Sequence, residues 1–400
     1  MLEWLICVTP YLIDKNGEGS AMKRDRLLIV IYDGVENSVF ESLVLRPAIK
    51  YLKENLYARV DLVSFEVNYS SALEKVNSLS LPDGLSIFLH RRLPIITRVS
   101  LFLHAPVLAR ILWSNWYDNI IVRGPIAAYV LNLAIHWFVR ILSKSWSVPV
   151  IIQARGLAAE EARFTFNEKH ADTWLLKQVF KFRVNILKAI EQVVYQQKSW
   201  DVPMKITAVS EALKDYLVQT FDAHENTIGI EFFDIVPALE KGLVFAWREE
   251  LRDFLKIPSD AVVYGYSGSC KQWQCARETV DFLLQKITED NNVYGLILST
   301  DALAFQRLVE KRDVDTSRLL IRFVEPSDLI KWLSVFDFGL LLRYQDVVNW
   351  VSRPTKALEY MAVGVPIIHN KTVKWLIDHD QKLGGIERDM TPQPRHVSLS

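Results

Sequence analysis

The chain has 400 residues, of which 50% are hydrophobic and 24% charged, and its 47 basic and 47 acidic side chains leave a formal net charge of zero. That length is enough for about two domains with large cores. The three cysteines, Cys7, Cys270 and Cys275, form neither a zinc spacing nor a disulfide framework, and the eight histidines are scattered, so a reducing compartment is favoured and a zinc site is not expected.

Residues 1–25 read as a weakly ordered leader, apolar at first but without the basic start and cleavage site of a signal peptide. From there, strand-like apolar runs alternate with helical patterns, which predicts parallel α/β layers. Leu27–Tyr32 predicts a strand, Asp33-Gly34 a turn and Val39–Glu54 a helix. Val60–Phe65, Leu85–Leu89, Asn119–Val122 and Pro149–Gln153 predict further strands. Ile126–Leu142 has about the minimum length of a membrane span but contains Asn132, His136 and Arg140, so it predicts a buried or surface-seeking helix. Ala171–Tyr195 predicts a long helix whose stripe is Trp174, Val179, Phe182, Ile186, Ile190 and Val193. Ile206–Val209 predicts a strand, and Ser210 is placed to cap a helix over Glu211–Gln219.

Residues 233–258 are irregular and charged and predict a linker. A second alternation follows, with strands over Ala261–Tyr266, Val293–Leu298, Leu319–Phe323 and Asp337–Leu342 and helices over Ala276–Ile287 and Asp328–Val335. The expected fold is therefore two tandem doubly wound, Rossmann-like α/β domains, 26–232 and 259–385, with a cleft between them and a tail at 386–400.

Charge is unevenly placed. Residues 84–200 hold 15 Lys/Arg against 6 Asp/Glu. At the centre, Arg91, Arg92, Arg98, Arg110, Arg123, Arg140 and Lys144 face only Asp118, with Trp113, Trp116, Trp137 and Trp146 between them. A basic, aromatic surface suits anionic lipid headgroups or an anionic acceptor. Solvated arginines on ordinary helices are the plainer reading.

The most informative run is Arg353-Pro-Thr-Lys-Ala-Leu-Glu-Tyr-Met-Ala-Val-Gly-Val-Pro-Ile-Ile368. Ser352 or Arg353 can cap a helix, Pro354 suits its first turn, and Gly364 suits the left-handed position after it. Such a helix start presents free N–H groups and a partial positive charge, which can hold a diphosphate. Glu359, a turn further in, can accept hydrogen bonds from sugar hydroxyls.

This run resembles the donor-nucleotide segment of family 4 glycosyltransferases, "SPTKxxEYLAxGxPVI". Four more segments resemble the same superfamily in the required order. They are the first strand-to-helix loop at Tyr32–Phe40, where Gly34 lets backbone approach a ligand, and Gln153–Glu161, similar to "D-x-R-G-x-x-x-E-E". Val263–Gln274 is similar to "YSGSxxKWQ", and Leu340–Trp350 runs into the opening motif. The chain departs from the wider family at Ser269 and Gln274, where it has arginine and lysine, at Val351, where it has the first of two glutamates, and at Gln153, usually an acid.

The resemblance, to the variant found in capsular and lipopolysaccharide assembly, implies a GT-B fold and a retaining transfer from a nucleotide-diphosphate sugar to a hydroxyl of a glycan or lipid-linked acceptor. It implies no metal and no cofactor besides the donor, and no nucleic-acid partner. Arg155, Glu160, Arg343 and Lys356 would serve catalysis. Gly34, Ser267, Gly268, Ser269, Lys271, Arg343, Asn349, Pro354, Thr355, Lys356 and Glu359 would hold the donor. The expected location is cytoplasmic, at the inner face of a membrane. Two alternatives stay open, a sugar-nucleotide 2-epimerase and a non-catalytic relative. One Asp-x-Asp, Asp313–Asp315, lies in an apparent loop.

Overall fold

The computed structural model describes residues 24–37, 40–94, 96–139, 147–168, 174–198, 203–231, 239–271, 274–312, 314–325 and 327–383. It separates into two compact units, Met1–Glu231 and Phe232–Ser400. In the first unit the elements run β1 (Arg24–Ile31), α1 (Arg46–Lys53), β2 (Tyr57–Glu66), α2 (Tyr69–Ser78), β3 (Leu85–Arg91), α3 (Arg98–Ser114), β4 (Asn119–Arg123) and α4 (Gly124–Leu133). They continue with β5 (Val150–Ala154), α5 (Ala158–Glu168), α6 (Trp174–Tyr195), β6 (Met204–Ala208), α7 (Glu211–Phe221) and β7 (Ile228–Ile230). The second unit opens with α8 (Lys241–Leu255), β8 (Val262–Ser267), α9 (Ala276–Glu289), β9 (Val293–Leu298), α10 (Ala302–Val309) and β10 (Leu319–Arg322). It ends with α11 (Leu329–Leu333), β11 (Phe338–Leu341), α12 (Val347–Trp350), α13 (Thr355–Ala362), β12 (Ile367–His369) and α14 (Lys374–Leu383).

Both sheets are parallel, with the same order around their first strand. The first is β3-β2-β1-β4-β5-β6-β7 and the second β10-β9-β8-β11-β12. The order reverses between β1 and β4 in one and between β8 and β11 in the other. A crevice opens at such a reversal beyond the carboxyl ends of the strands, and ligands bind there in doubly wound sheets.

The strands are legible because both faces are covered, which makes them continuous apolar runs. On β8, Val263 faces a core with Leu251 and Leu255 of α8, Leu333 of α11 and Tyr360 of α13. Its neighbours Tyr264 and Tyr266 face the opposite core, with Val280, Leu283 and Ile287 of α9 and Phe305 of α10. In the first unit, Leu27, Ile29 and Ile31 of β1 pack with Val60 and Leu62 of β2 against Phe40, Val44 and Ala48. Ser210 caps α7 as expected, accepting from the Leu213 N–H at 3.0 Å.

Several expectations are corrected. The segment read as a linker contains α8, which is keyed to the second sheet. Its Arg252 donates to the carbonyls of Ala261 (2.9 Å) and Val335 (3.0 Å) and pairs with Asp337 at 2.7 Å, and its Arg248 pairs with the same carboxylate. Asp337 also accepts from the Val263 N–H at 2.7 Å.

On α6 the buried stripe is Val184, Leu187, Ile190 and Val194, whereas Trp174, Val179 and Phe182 are exposed. Phe180, between the exposed residues, stacks on Phe166 of α5 at 3.7 Å. The helix thus buries a different face from the one its most bulky residues suggest. Pro354 is the N-cap of α13 rather than a first-turn residue, with ψ 128° outside the helical region, while Gly364 does take a left-handed φ of +71°. The leader up to residue 23 and the tail from 384 lie outside the described residues.

Candidate functional site

In the second unit three segments meet at the reversal between β8 and β11. β8 delivers Ser267, Gly268 and Ser269, β11 runs into Arg343, and α13 brings Lys356 in its first turn. Lys356 Nζ donates to the Tyr266 hydroxyl at 3.1 Å and to Gln274 Oε1, and lies 4.4 Å from the centre of the Tyr266 ring. The Tyr266 hydroxyl is itself 2.8 Å from Gln274 Oε1 and 3.0 Å from the Ser269 carbonyl. Gly268, at φ +140°, makes this packing feasible, because a Cβ there would be driven into Lys356 Nζ. The Gln274 amide oxygen thus anchors a lysine from another helix.

Arg343 is 8% exposed. Its Nη1 donates to the Leu342 carbonyl at 2.9 Å, and its backbone is clasped on both sides by the Asn370 side chain. Neither Arg343 nor Lys356 forms an ion pair among the described residues. Burial, then the charge of Arg343, hold the Lys356 ammonium well below its ordinary pKa, and burial lowers Arg343 too. Two desolvated cations side by side are costly unless something anionic joins them.

The other expected donor residues surround this centre. α13 starts at Thr355 with no side-chain cap, while the Ala357 N–H donates to the Pro354 carbonyl at 3.1 Å. The Ser267 N–H donates to Tyr360 Oη at 3.0 Å, while the buried Ser267 hydroxyl has no hydrogen-bond partner. Glu359 is half-buried on α13, and its charge favours the protonated form of Lys356. Lys271 is exposed. Asn349 is buried and its amide donates to the Tyr344 carbonyl at 2.9 Å, so it holds the loop after β11. Val351 is buried.

The first unit uses the same location differently. Gly34, at φ +83°, follows β1, and a Cβ there would lie 2.6 Å from Glu66 Oε2. The Glu66 carboxylate accepts from the Val35 N–H at 2.9 Å and from the Ser64 hydroxyl. Gly34 therefore makes room for a buried acid of its own unit.

Arg155 pairs with buried Glu231 at 3.0 Å, and Gln153 donates to the same oxygen at 2.9 Å. Glu160 is paired with Arg163 at 2.7 Å. Arg123, expected in a basic surface, is buried and pairs with Asp33 at 3.2 Å.

Sequence reading missed a cluster beyond β2 and β3. Arg92 lies 4.9 Å over the Tyr32 ring, whose hydroxyl is 3.0 Å from His104 Nδ1, and Arg91 lies 5.1 Å over the Tyr69 ring. The adjacent arginines and the tyrosine after the first strand were the available signal. Of the Asp313–Asp315 pair, Asp313 lies outside the described residues and Asp315 accepts from the Ser317 N–H at 2.9 Å. Among the described residues no three metal-ligating side chains cluster.

No family model matches the chain, and no curated protein matches it. Solved structures do. A glycosyltransferase from Rickettsia africae ESF-5 is similar at 14% identity, over 88% of this chain and 80% of that one, with a TM-score of 0.57. WaaG, a glycosyltransferase involved in lipopolysaccharide biosynthesis, is similar at 12% identity over 90% and 85%, with a TM-score of 0.58. An α,α-trehalose-phosphate synthase (UDP-forming) from Burkholderia vietnamiensis is similar at 10% identity over 89% and 86%, with a TM-score of 0.54. At these identities the likeness establishes the fold: two Rossmann-like units of the GT-B kind.

Proposed function

We propose that the chain is a glycosyltransferase that uses a nucleotide-diphosphate sugar, held by the second unit, and a glycan or lipid-linked acceptor, held by the first. The observation that carries this reading is the pair Arg343 and Lys356, two desolvated cations that form no ion pair among the described residues, set at a strand-order reversal beside the uncapped start of α13. A diphosphate supplies the missing negative charge, and the planar fork of Arg343 suits its oxygens. The similar glycosyltransferase structures support the same reading.

In the retaining reaction proposed, the acceptor oxygen bonds to the anomeric carbon as the bond to the β-phosphate oxygen breaks. The acceptor proton passes to that leaving phosphate. Arg343, Lys356 and the α13 N–H groups stabilise the charge that develops there, which needs no metal. Activity unchanged by a chelator supports that last point, and activity restored by magnesium or manganese after chelation contradicts it. Glu359 orients the sugar. The 2-epimerase reading is disfavoured because Val351 is buried and Gln153 is held on Glu231, so few carboxylates remain for the sugar.

The proposal includes docking of the first unit on an anionic membrane. Arg98, Val99, Phe102, Leu103, Arg110 and Trp113 of α3 are exposed, and Trp116 just beyond is 80% exposed. α6 exposes Trp174, Val179 and Phe182 beside Lys177, Lys181 and Arg183. Both helices pack on α4, so they belong to one layer. Arg140, Lys144 and Trp146, and the side chain of Trp137, lie outside the described residues. No described helix is long and apolar enough to cross a membrane.

The deciding experiment incubates the full chain with a panel of nucleotide sugars and follows nucleoside diphosphate release and sugar transfer. Transfer to a glycan or lipid acceptor supports the proposal. Epimerised donor, or binding without any turnover, contradicts it.

A further inference from the structure

Beyond the carboxyl ends of β2 and β3 the first unit holds a cavity of about 630 Å³, lined by Asn68, Tyr69, Ser70, Arg91, Arg92 and His104 among others. No acid lines it. Neither arginine forms an ion pair among the described residues. Both are held in place by aromatic and backbone contacts instead. Arg91 stacks on Tyr69, and Arg92 stacks on Tyr32 while its Nε donates to the Phe65 carbonyl at 3.1 Å.

The start of α2 forms one wall. Its N-cap, Asn68, makes no capping hydrogen bond, so the first N–H groups and the positive end of the helix dipole add to the two guanidinium charges. Burial lowers the Arg92 pKa while Tyr32 and the charges of Glu66 and Asp33 raise it, and neither acid lines the cavity. Glu66 turns its carboxylate to the Val35 N–H and Ser64 hydroxyl. Glu36, which accepts from the Ser71 hydroxyl, is exposed. Burial, then the charges of Arg92 and His90, lower the His104 pKa, so its imidazole is neutral near pH 7.

We propose that this cavity is an anion site that binds a phosphate group of the acceptor, with Arg91 and Arg92 gripping the oxygens and the α2 start completing the cradle. The inference rests on the glycosyltransferase reading and names its acceptor class: a glycan or lipid that carries phosphate next to the accepting sugar. Two pre-oriented planar forks match phosphate geometry better than flexible ammonium groups would. Two features favour the lipid-linked source. Val67 and Leu93 at the cavity are exposed apolar residues, and His104 belongs to α3, whose outer face is apolar and basic.

Calorimetry on the full chain with inorganic diphosphate tests this, using the wild type, R91A/R92A and R343M. The expected result is two classes of site, one weakened at least tenfold in R91A/R92A and the other in R343M. Binding of UDP, GDP or ADP should be weakened only in R343M. Diphosphate binding in R91A/R92A that matches the wild type overturns the proposal even if nucleotide binding is intact. Failure of every nucleotide to bind the wild type overturns the donor reading and leaves the anion site to stand on its own titration.

Farnesyl phosphate and farnesol in the same detergent micelles give the second arm. Farnesyl phosphate binding more tightly than inorganic phosphate, with farnesol not binding, supports a lipid-linked acceptor. Equal affinity for farnesyl phosphate and inorganic phosphate supports a water-soluble phosphorylated glycan. Equal binding of farnesol and its phosphate overturns the anion site.

Discussion

The two glycine turns that follow the first strand of each sheet occupy the same topological position, yet they close over opposite charges. Gly34 leaves room for the Glu66 carboxylate, and Gly268 leaves room for the Lys356 ammonium. The backbone solution is shared: a positive φ after the first strand in chain order, at the point where strand order reverses. The buried partner is what differs. In the first unit the acid is satisfied locally, by the Val35 N–H and the Ser64 hydroxyl. In the second, Lys356 is held by neutral Tyr266 and Gln274 and stands beside a second cation, Arg343, that forms no ion pair among the described residues. A crevice of this fold is therefore a location rather than a function, and the charge left unbalanced in it selects the ligand.

Substituting each glycine by alanine gives the largest separation between the two turns. G268A combines strain at φ +140° with displacement of Lys356, and should weaken nucleotide binding by about 2–4 kcal/mol, the range of combined strain and lost charge contacts. G34A should destabilise the fold by about 1–3 kcal/mol through strain and the Glu66 contact, with nucleotide affinity little changed. Thermal melts and nucleotide titrations of both variants check this, and equal loss of affinity in the two would dissolve the contrast.

Lys356 provides a sign that no residue of the Gly34 turn shares. Its folded pKa is depressed, so between that value and about 10.5 the unfolded chain binds more protons than the folded one. This group's contribution to stability therefore rises with pH across that window. A bound diphosphate raises the Lys356 pKa again, so nucleotide binding should take up protons and weaken as pH climbs through the folded value. Calorimetry in buffers of different ionisation enthalpy, repeated over a series of pH values up to about 10.5, reads the uptake directly, and K356M should abolish it. Proton release on binding would contradict the assignment.

Glu359 sharpens the donor side further. E359A should cost about 1–3 kcal/mol in affinity for a nucleotide sugar, the scale of a lost hydrogen bond to a charged group. The cost should be smaller for the nucleoside diphosphate alone, which carries no sugar; an equal loss for both would move Glu359 off the sugar.

The smallest effect belongs to the first unit's outer face. Replacing Arg110 by glutamine should weaken vesicle binding by about 1 kcal/mol at low salt, since each basic residue near an anionic surface contributes roughly that much. Salt should weaken binding without removing it, because the apolar contribution of Trp113 and Trp116 is not screened. Flotation with neutral and anionic vesicles measures both, and equal recovery on the two would rule out the electrostatic part.

What the sequence makes legible follows from how local each signal is. The buried strands, the Ser210 cap and the left-handed Gly364 need only their neighbours in the chain, and each is found where expected. α3 is not legible as an amphipathic helix, because Val99, Phe102 and Leu103 place apolar groups outward while Leu101, Ala105 and Leu108 place them inward. α8 looks like a charged linker because the partner that makes Arg252 a core residue, Asp337, lies 85 positions away. The same holds for Arg155, whose partner Glu231 is 76 positions off, and for Lys356, whose anchor Gln274 is 82 positions off. The motif singles out Lys356 and Arg343 as residue types suited to phosphate. Only the fold shows that neither forms an ion pair among the described residues, which separates these two cations from Arg155.

The most direct test of the central claim is nucleotide calorimetry on the full chain and on R343M/K356M. At least one of UDP, GDP and ADP should bind the wild type, and the double variant should bind it at least about a hundredfold more weakly, the usual scale for removing charge-stabilising donors at a phosphate. The same variant without ligand should melt at or above the wild-type temperature, because two desolvated cations have been removed. If the double variant binds every nucleoside diphosphate as the wild type does, the cation pair is not the donor site.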